Sequence, residues 1–315
     1  MTITPSSLPS AGGVAGPTDG PGGPGAAGIS DVGAATSSWR EFWRRYRKNK
    51  MAVVALVLLI VLIILAVFAD QIAPYRFDER PLTKTTAPSW DHLFGTDQIG
   101  RDIFSRVIYG ARISLRIGIL ATVISVVIGV VAGAVSGFFG GWVDTIISRF
   151  VDVFLSIPYI VLAVSIAAVM GRSENTVIIV LGFTGWLAIQ RVVRSSFLQL
   201  KELEFVEAAT ALGYGRWRIM FRHILPNALQ PVIVYSAIAV GSAILAEAAL
   251  SFLGAGPVDP TPAWGLMVFT AKGRLKPAPY ELFFPAVAIV ITVLAFLLIG
   301  DGLRDALDPK MKNRS

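Results

Sequence analysis

Long apolar runs are the feature that most constrains the fold of this chain. Met51–Ala69 holds 19 residues without a single charge. As an α-helix rising 1.5 Å per residue, such a run spans about 29 Å, which is close to the hydrocarbon thickness of a bilayer. A helix satisfies its own backbone hydrogen bonds, so it can cross lipid as a single segment. The sequence therefore predicts an all-α, polytopic membrane protein.

The composition of the whole chain agrees with this prediction. Only 16% of its 315 residues are charged and its mean hydropathy is +0.65, whereas soluble domains carry about a quarter charged residues. We predict six membrane spans, at roughly 51–69, 113–137, 152–170, 176–193, 231–253 and 284–302.

Two of the predicted spans carry residues that affect helix packing. Gly129, Gly133 and Gly137 recur at i, i+4 and i+8 in span two, and small residues at this spacing let another helix approach closely. We expect this ladder to serve helix packing. Pro158 lies inside span three, where it should kink the helix.

The remaining segments define the domain organisation. Residues 1–38 are rich in Gly, Pro, Ala and Ser and should form a disordered tail. Residues 39–50 combine aromatic and basic side chains, as expected of a helix at the membrane interface. The positive-inside rule then places both termini in the cytoplasm. The further divisions are 51–112 (first span and outer segment), 113–303 (transmembrane core, with a cytoplasmic loop at 194–230) and 304–315 (C-terminal tail).

Several classes of chemistry find no support in the sequence. The chain has no cysteine and two histidines, His92 and His223, so it cannot build a thiolate site or a multi-histidine metal site. It has no G-x-x-x-x-G-K-[ST] phosphate loop and no hydrolase motif. We therefore predict a subunit that is not an enzyme, and any ATP-driven step would need nucleotide bound by another polypeptide.

The most informative segment is Glu204–Pro226, a charged insert between apolar runs. Glu204–Leu212 is rich in helix-forming residues, and Gly213 is suited to end that helix. Arg216–Leu225 can form a second helix, with Pro226 marking the return to the next span.

The first of these helices has two interpretations. Its alanines, including Ala208 and Ala209, would keep it thin enough to lie in a groove of another protein, with Glu207 offering a charge to a basic partner residue. Alternatively, the alanines only favour the helix of an ordinary connecting loop. Composition alone leaves both interpretations open.

The same segment resembles the EAA loop of ABC importer permeases. That pattern is EAA, three residues, Gly, nine residues, Ile, one residue and Leu-Pro; His223 departs from it by replacing the Ile. The resemblance implies that this loop couples to ATPase subunits. The residues it assigns to coupling are Glu204, Glu207, Ala208, Ala209, Gly213, Leu225 and Pro226.

Three further stretches are similar to one branch of that family, the second permease subunit of dipeptide, oligopeptide and nickel importers. They are His92–Asp102, continuing to Leu115; Glu247 with Leu250–Gly254; and Gly300–Pro309. The resemblance implies a type I ABC importer permease fold in the bacterial inner membrane. It also implies a homologous permease partner, ATPase subunits that bind ATP and Mg, and an extracytoplasmic substrate-binding protein, with no cofactor on this chain.

The sequence leaves alternatives open for the substrate that is carried and for the class of protein. We expect di- or oligopeptides, but nickel and glutathione importers share these motifs. A secondary transporter would instead show repeated halves and paired charges at mid-membrane, and a membrane scaffold without a transport role would form no aqueous cavity in its complex.

Some charged residues have two interpretations. Glu247, in an apolar span, is either a pathway or gating residue or a structural carboxylate with a nearby partner. Asp301, Arg304 and Asp305 share one helix face after span six, where they should form a salt bridge or contact the ATPase subunit. Arg149 and Asp152 should anchor span three. Asp97, Arg101 and Asp102 should form an ion-pair cluster or receive a delivery protein. His92 is either an ordinary loop residue or a ligand-binding residue on the outer side.

Overall fold

The computed structural model describes residues 38–82 and 84–307, and these residues are almost entirely helical. The chain divides into two units, residues 1–41 and 42–315. Residues 1–37 of the predicted disordered tail and the last eight residues lie outside the described part. The helices are α1 (Ser38–Tyr46), α2 (Lys50–Val67), α3 (Ala69–Ile72), α4 (Ile103–Phe139), α5 (Gly141–Leu155), α6 (Tyr159–Met170), α7 (Glu174–Lys201), α8 (Glu204–Ala211), α9 (Arg216–Arg218), α10 (Leu225–Phe252), α11 (Trp264–Ala271) and α12 (Tyr280–Leu307).

Within residues 38–82 and 84–307, five helical runs are long and apolar enough to cross a membrane: α2, α4, α7, α9 through α10, and α12. The predicted third span is different, because it is not one helix. Helices α5 and α6 meet at a bend of 87°, and Pro158 is the residue that precedes α6. The predicted kink is therefore a complete break. Counted as one broken span, the bent pair brings the total to six.

Helices α4 and α7 pack at very short distance, and the glycine ladder of α4 is the reason. A Cβ atom on Gly129 would lie 2.7 Å from the Cβ of Ile189, and one on Gly133 would lie 2.6 Å from the Cβ of Val193. A Cβ atom on Gly137 would likewise lie 2.6 Å from the Cβ of Phe197. The predicted packing role of the ladder is confirmed.

The predicted boundary at Pro226 is wrong, because the chain remains helical through it. A π-helical turn, Ile219–Ile224, joins α9 to α10, and the N–H of Leu225 bonds to the carbonyl of Met220. Pro226 falls in the first turn of α10, where a missing N–H is tolerated. The predicted second loop helix and the predicted fifth span are therefore one helical run.

Arg101 is the centre of an ion-pair cluster in the segment between α3 and α4. It is only 4% exposed, and it donates hydrogen bonds of 2.7 Å to both Asp97 and Asp259. Burial alone would lower the pKa of Arg101, but the hydrogen bonds and charges of the two carboxylates raise it. The Asp97–Arg101 pair agrees with the prediction, and Asp259, from the distant loop before α11, is an additional member.

Asp102 does not join that cluster, which corrects the expectation for it and for His92. Its Oδ1 lies 2.9 Å from Nδ1 of His92, which is buried and stacks on Tyr75. Its Oδ2 accepts hydrogen bonds from the backbone and the hydroxyl of Ser105, at 2.8 and 2.7 Å. Asp102 is thus the N-cap of α4, and His92 orients that cap.

Two other expectations for charged residues at helix ends are wrong. Within the part of the chain that the structure describes, Asp301 and Arg304 form no ion pair, and Asp305 accepts a hydrogen bond of 3.1 Å from Asn49, at the start of α2. Asp152 pairs with Arg191 of α7 at 2.7 Å, so it joins two helices instead of anchoring the start of one.

Candidate coupling surface

Helix α8 forms where the sequence predicts it and ends where glycine permits. The carbonyl of Leu203 accepts from the N–H groups of Val206 and Glu207, at 2.9 and 3.4 Å. At the other end, Gly213 has φ of +78°, a conformation that favours glycine. The N–H of Tyr214 then bonds back to the carbonyl of Ala209 at 3.2 Å, which is the 6→1 bond of a Schellman cap.

The two sides of α8 have different environments. Val206 and Ala209 are buried in one hydrophobic cluster with Phe197 of α7 and with Met220 and Ile224 of the π-helical turn. The other side of the helix is exposed, and it carries Glu204, Glu207, Ala208 and, beyond the helix, Gly213. Ala209, one of the predicted coupling residues, therefore lies on the buried side of α8 and packs in this cluster.

Large apolar side chains are exposed in α8 and in the segment that follows it. Leu212 is 73% exposed and Trp217 is 60% exposed. An exposed apolar group of this kind is typical of a protein-binding site. Sequence reasoning missed these residues, although apolar side chains within a charged segment are a usable signal. We call the set the coupling surface: Leu203, Glu204, Phe205, Glu207, Ala208, Leu212, Gly213, Trp217 and Phe221.

The coupling surface is connected to the ends of the spanning helices. Trp217 stacks on Phe221, with ring centroids 5.8 Å apart, and meets the edge of Phe139 at 5.5 Å. Phe139 is the last residue of α4. The Nζ atom of Lys201, at the end of α7, donates to the carbonyl of Phe138 at 3.1 Å. The aromatic side chains of this surface thus contact the end of α4, and Lys201 links that end to the end of α7.

The last residues of the predicted motif lie beside this surface. Leu225 is half-buried and packs against the cluster beneath α8, while Pro226 is exposed at the start of α10. His223, the departure from the motif, stacks on Tyr214 with centroids 5.7 Å apart. Its Nε2 atom is buried and has no hydrogen-bond partner among the described residues.

Glu247 lies away from the coupling surface, in the second half of α10. Its exposure is 0%, and its Oε1 accepts a hydrogen bond of 2.7 Å from Ser251. Oε2 has no partner in the described part of the chain. A Cβ atom on Gly265 of α11 would lie 3.1 Å from Oε1, so α11 covers this carboxylate closely.

Solved structures share this fold. The inward-facing MetNI methionine ABC transporter matches with a TM-score of 0.55 at 22% identity, over 65% of this chain and 98% of the other; a second crystal form gives 0.53. The fold is thus that of a type I ABC importer permease.

Sequence comparisons then define the family. Residues 125–313 match the model of the binding-protein-dependent transport system inner membrane component, and residues 37–88 match the N-terminal transmembrane domain of oligopeptide transport permease C. This chain belongs to the family of binding-protein-dependent transport system inner membrane components. It is a multi-pass permease subunit of an ABC importer.

Two relatives illustrate the family. The dipeptide transport system permease protein DppC of Alkalihalophilus pseudofirmus is 42% identical over 248 residues. The glutathione transport system permease protein GsiD of Shigella flexneri serotype 5b is 47% identical over 250 residues. In both cases the match covers 78% of this chain and 82% of the relative.

Proposed function

We propose that this chain imports di- or oligopeptides by coupling to separate ATPase subunits through the coupling surface. The observation that carries this proposal is the two-sided environment of α8. One side is fixed to the ends of the spanning helices through Val206 and Ala209, and the other presents Glu207 and Ala208 to solvent. A helix of this kind can receive a partner and transmit its movement to the spans.

The mechanism that follows is alternating access. ATP binding closes the two ATPases and moves α8. Because α8 packs on α7 and on the π-helical turn before α10, these helices tilt and the pathway opens outward. Hydrolysis releases α8 and returns the pathway to its inward-open state. This chain performs no covalent step in the cycle, since ATP and Mg are bound by the ATPase subunits.

The partners follow from the same assignment. A homologous permease would complete the pathway, and a substrate-binding protein would deliver ligand from outside the cell. In the orientation that we propose, both termini and the coupling surface lie in the cytoplasm. The charges agree, because Arg216, Arg218 and Arg222 lie beside that surface and basic loops remain on the cytoplasmic side.

The substrate class rests on the relatives. One carries dipeptide in its name and the other carries glutathione, and glutathione is itself a tripeptide. Glutathione is therefore the second candidate within the same chemical class. Competition between a labelled dipeptide and glutathione for uptake separates the two.

A cross-linking experiment tests the docking directly, because the chain has no cysteine of its own. Ala208→Cys places a single exposed thiol on the coupling surface. In the whole complex we expect this thiol to form a cross-link with an ATPase subunit through a short bifunctional reagent. Ala87→Cys, exposed in the outer segment, is the matched control and should form none. An ATPase cross-link from Ala87, or none from Ala208, would reject the proposed orientation or docking.

A further inference from the structure

A cavity of about 230 Å³ lies between α4, α6, α7 and α10, halfway along the three long helices that line it. Ala121, the middle residue of α4, lines it. Leu187 and Ala188, at the middle of α7, also line it. So do Ile238 and Ala239, at the middle of α10. In a spanning orientation this places the cavity near the centre of the bilayer.

The lining residues carry no formal charge, but several carry hydroxyl groups. The hydroxyl-bearing residues are Thr122, Ser125, Tyr159, Thr184, Tyr235 and Ser242. Polar groups at this depth are costly unless they have a partner or a function. An apolar cavity formed only by imperfect packing would not need six of them.

Three of these hydroxyls donate hydrogen bonds to backbone carbonyls. Ser125 donates to Gly182 at 2.9 Å, and Thr184 donates to Val180 at 2.7 Å. Ser242 donates to Ile238 at 3.2 Å. Each hydroxyl has one proton and two lone pairs, so the oxygens of Ser125 and Ser242 remain available as acceptors, whereas the Thr184 hydroxyl also interacts with the Tyr159 hydroxyl.

Thr122 is different from the other three. It is 5% exposed, and its hydroxyl has no hydrogen-bond partner in the described part of the chain. A buried hydroxyl without a partner is destabilising, so such a group calls for an explanation. A ligand that enters the cavity and bonds to Thr122 would supply one.

We infer that this cavity is a transient binding site for the N–H groups of the transported ligand. The oxygens of Ser125 and Ser242, whose protons are already donated, match N–H donors. The lining holds no cationic side chain, so a free anion would find no charged partner there. A peptide presents such donors in its backbone amides and its terminal ammonium. The inference rests on the proposed peptide substrate, and it adds a specific contact site midway along the pathway.

The test uses the native absence of cysteine. Ser242→Cys places one thiol in the cavity wall, and we would measure its labelling by a water-soluble methanethiosulfonate in the reconstituted complex. A transported dipeptide should slow this labelling. Ser165→Cys, exposed on α6 and outside the cavity lining, is the matched control, and its labelling should not respond to dipeptide. If Ser242→Cys fails to assemble, Ala239→Cys probes the same wall.

A second substitution tests the role of Thr122. In the Ser242→Cys background, Thr122→Val should raise the half-protecting dipeptide concentration about fivefold, the effect of one neutral hydrogen bond. Thr292→Val is the control, because the Thr292 hydroxyl is buried in α12 and outside the cavity lining. An equal effect of both substitutions would reject a specific contact at Thr122.

Two modified peptides distinguish the source of the N–H group. Loss of protection on methylation of the peptide nitrogen identifies the backbone amide, and loss on N-acetylation identifies the ammonium. Protection that survives both modifications overturns the inference, as does the absence of protection by a dipeptide that the wild-type complex transports. If the wild-type complex transports no peptide, it is the proposed function that fails.

Discussion

The guanidinium of Arg194 donates two hydrogen bonds, each of 2.5 Å, to the carboxylate of Asp144, and so joins α7 to α5. A second link lies on the same two helices, where Arg191 donates to Asp152 at 2.7 Å. Both pairs line a polar cleft of about 580 Å³. These links hold α5 against α7 immediately before the chain breaks at Pro158.

The first prediction concerns the Asp144–Arg194 pair. Asp144→Asn should destabilise the protein, because the guanidinium loses its charged partner in a site where the two side chains are only 16% and 34% exposed. A double-mutant cycle with Arg194→Gln, measured by thermal denaturation in detergent, should give a coupling of roughly 1–2 kcal/mol. The exposed Arg76–Asp78 pair is the control and should give less than about 1 kcal/mol. Equal coupling in the two pairs would contradict this account.

The second prediction concerns the contact between α4 and α7. Gly133→Ala would normally favour a helix, but the added methyl would lie 2.6 Å from the Cβ of Val193. The overlap should dominate and lower the free energy of unfolding by about 1–3 kcal/mol. Gly215→Ala is the matched control, because a Cβ atom there would meet nothing within 4 Å. If both variants melt at the same temperature, the close packing of α4 and α7 is not as described.

The third prediction concerns the outer segment. Arg101→Met leaves Asp97 partly buried without its charged partner, at a cost of about 3 kcal/mol. We expect the segment between α3 and α4 to be cleaved faster by protease added from outside. Arg76→Met, which removes an exposed pair of the same segment, should leave the cleavage rate near that of the wild type. A wild-type rate for Arg101→Met would show that this cluster does not order the segment.

The fourth prediction uses the backbone of Gly213. Its φ of +78° is accessible to asparagine but strained for a β-branched residue. Space does not limit a side chain there, since a Cβ atom would meet nothing within 4 Å. Gly213→Val should therefore reduce ATP hydrolysis stimulated by the binding protein, while Gly213→Asn should retain most of it. The opposite order would exclude backbone conformation as the requirement at this position.

Local sequence signals predicted the parts of the fold that depend on local chemistry. Helix α8, its end at Gly213 and the glycine ladder of α4 follow from helix propensity, capping and residue size. These features need no knowledge of distant partners, and the structure has them where the sequence indicates.

Features that depend on distant partners were missed. The sequence groups Asp102 with Arg101, its neighbour, whereas its partner is His92, which folding brings to the start of α4. The link between Asp144 and Arg194 joins residues 50 positions apart. The continuity through Pro226 depends on a π-helical turn, which has no simple sequence signature. The buried position of Ala209 similarly depends on how α8 docks on α7.

The most direct test of the central claim is ATP-driven uptake of a labelled dipeptide by the complete complex in proteoliposomes. The decisive variant carries Glu207→Trp together with Gly213→Val, which adds bulk to the coupling surface and strains the end of α8. Co-purification of the ATPase subunits and the permease partner checks that the complex still assembles. We predict that the assembled variant loses uptake and loses stimulation of ATP hydrolysis by the binding protein. Uptake at the wild-type rate would contradict the claim that this surface couples ATP hydrolysis to transport.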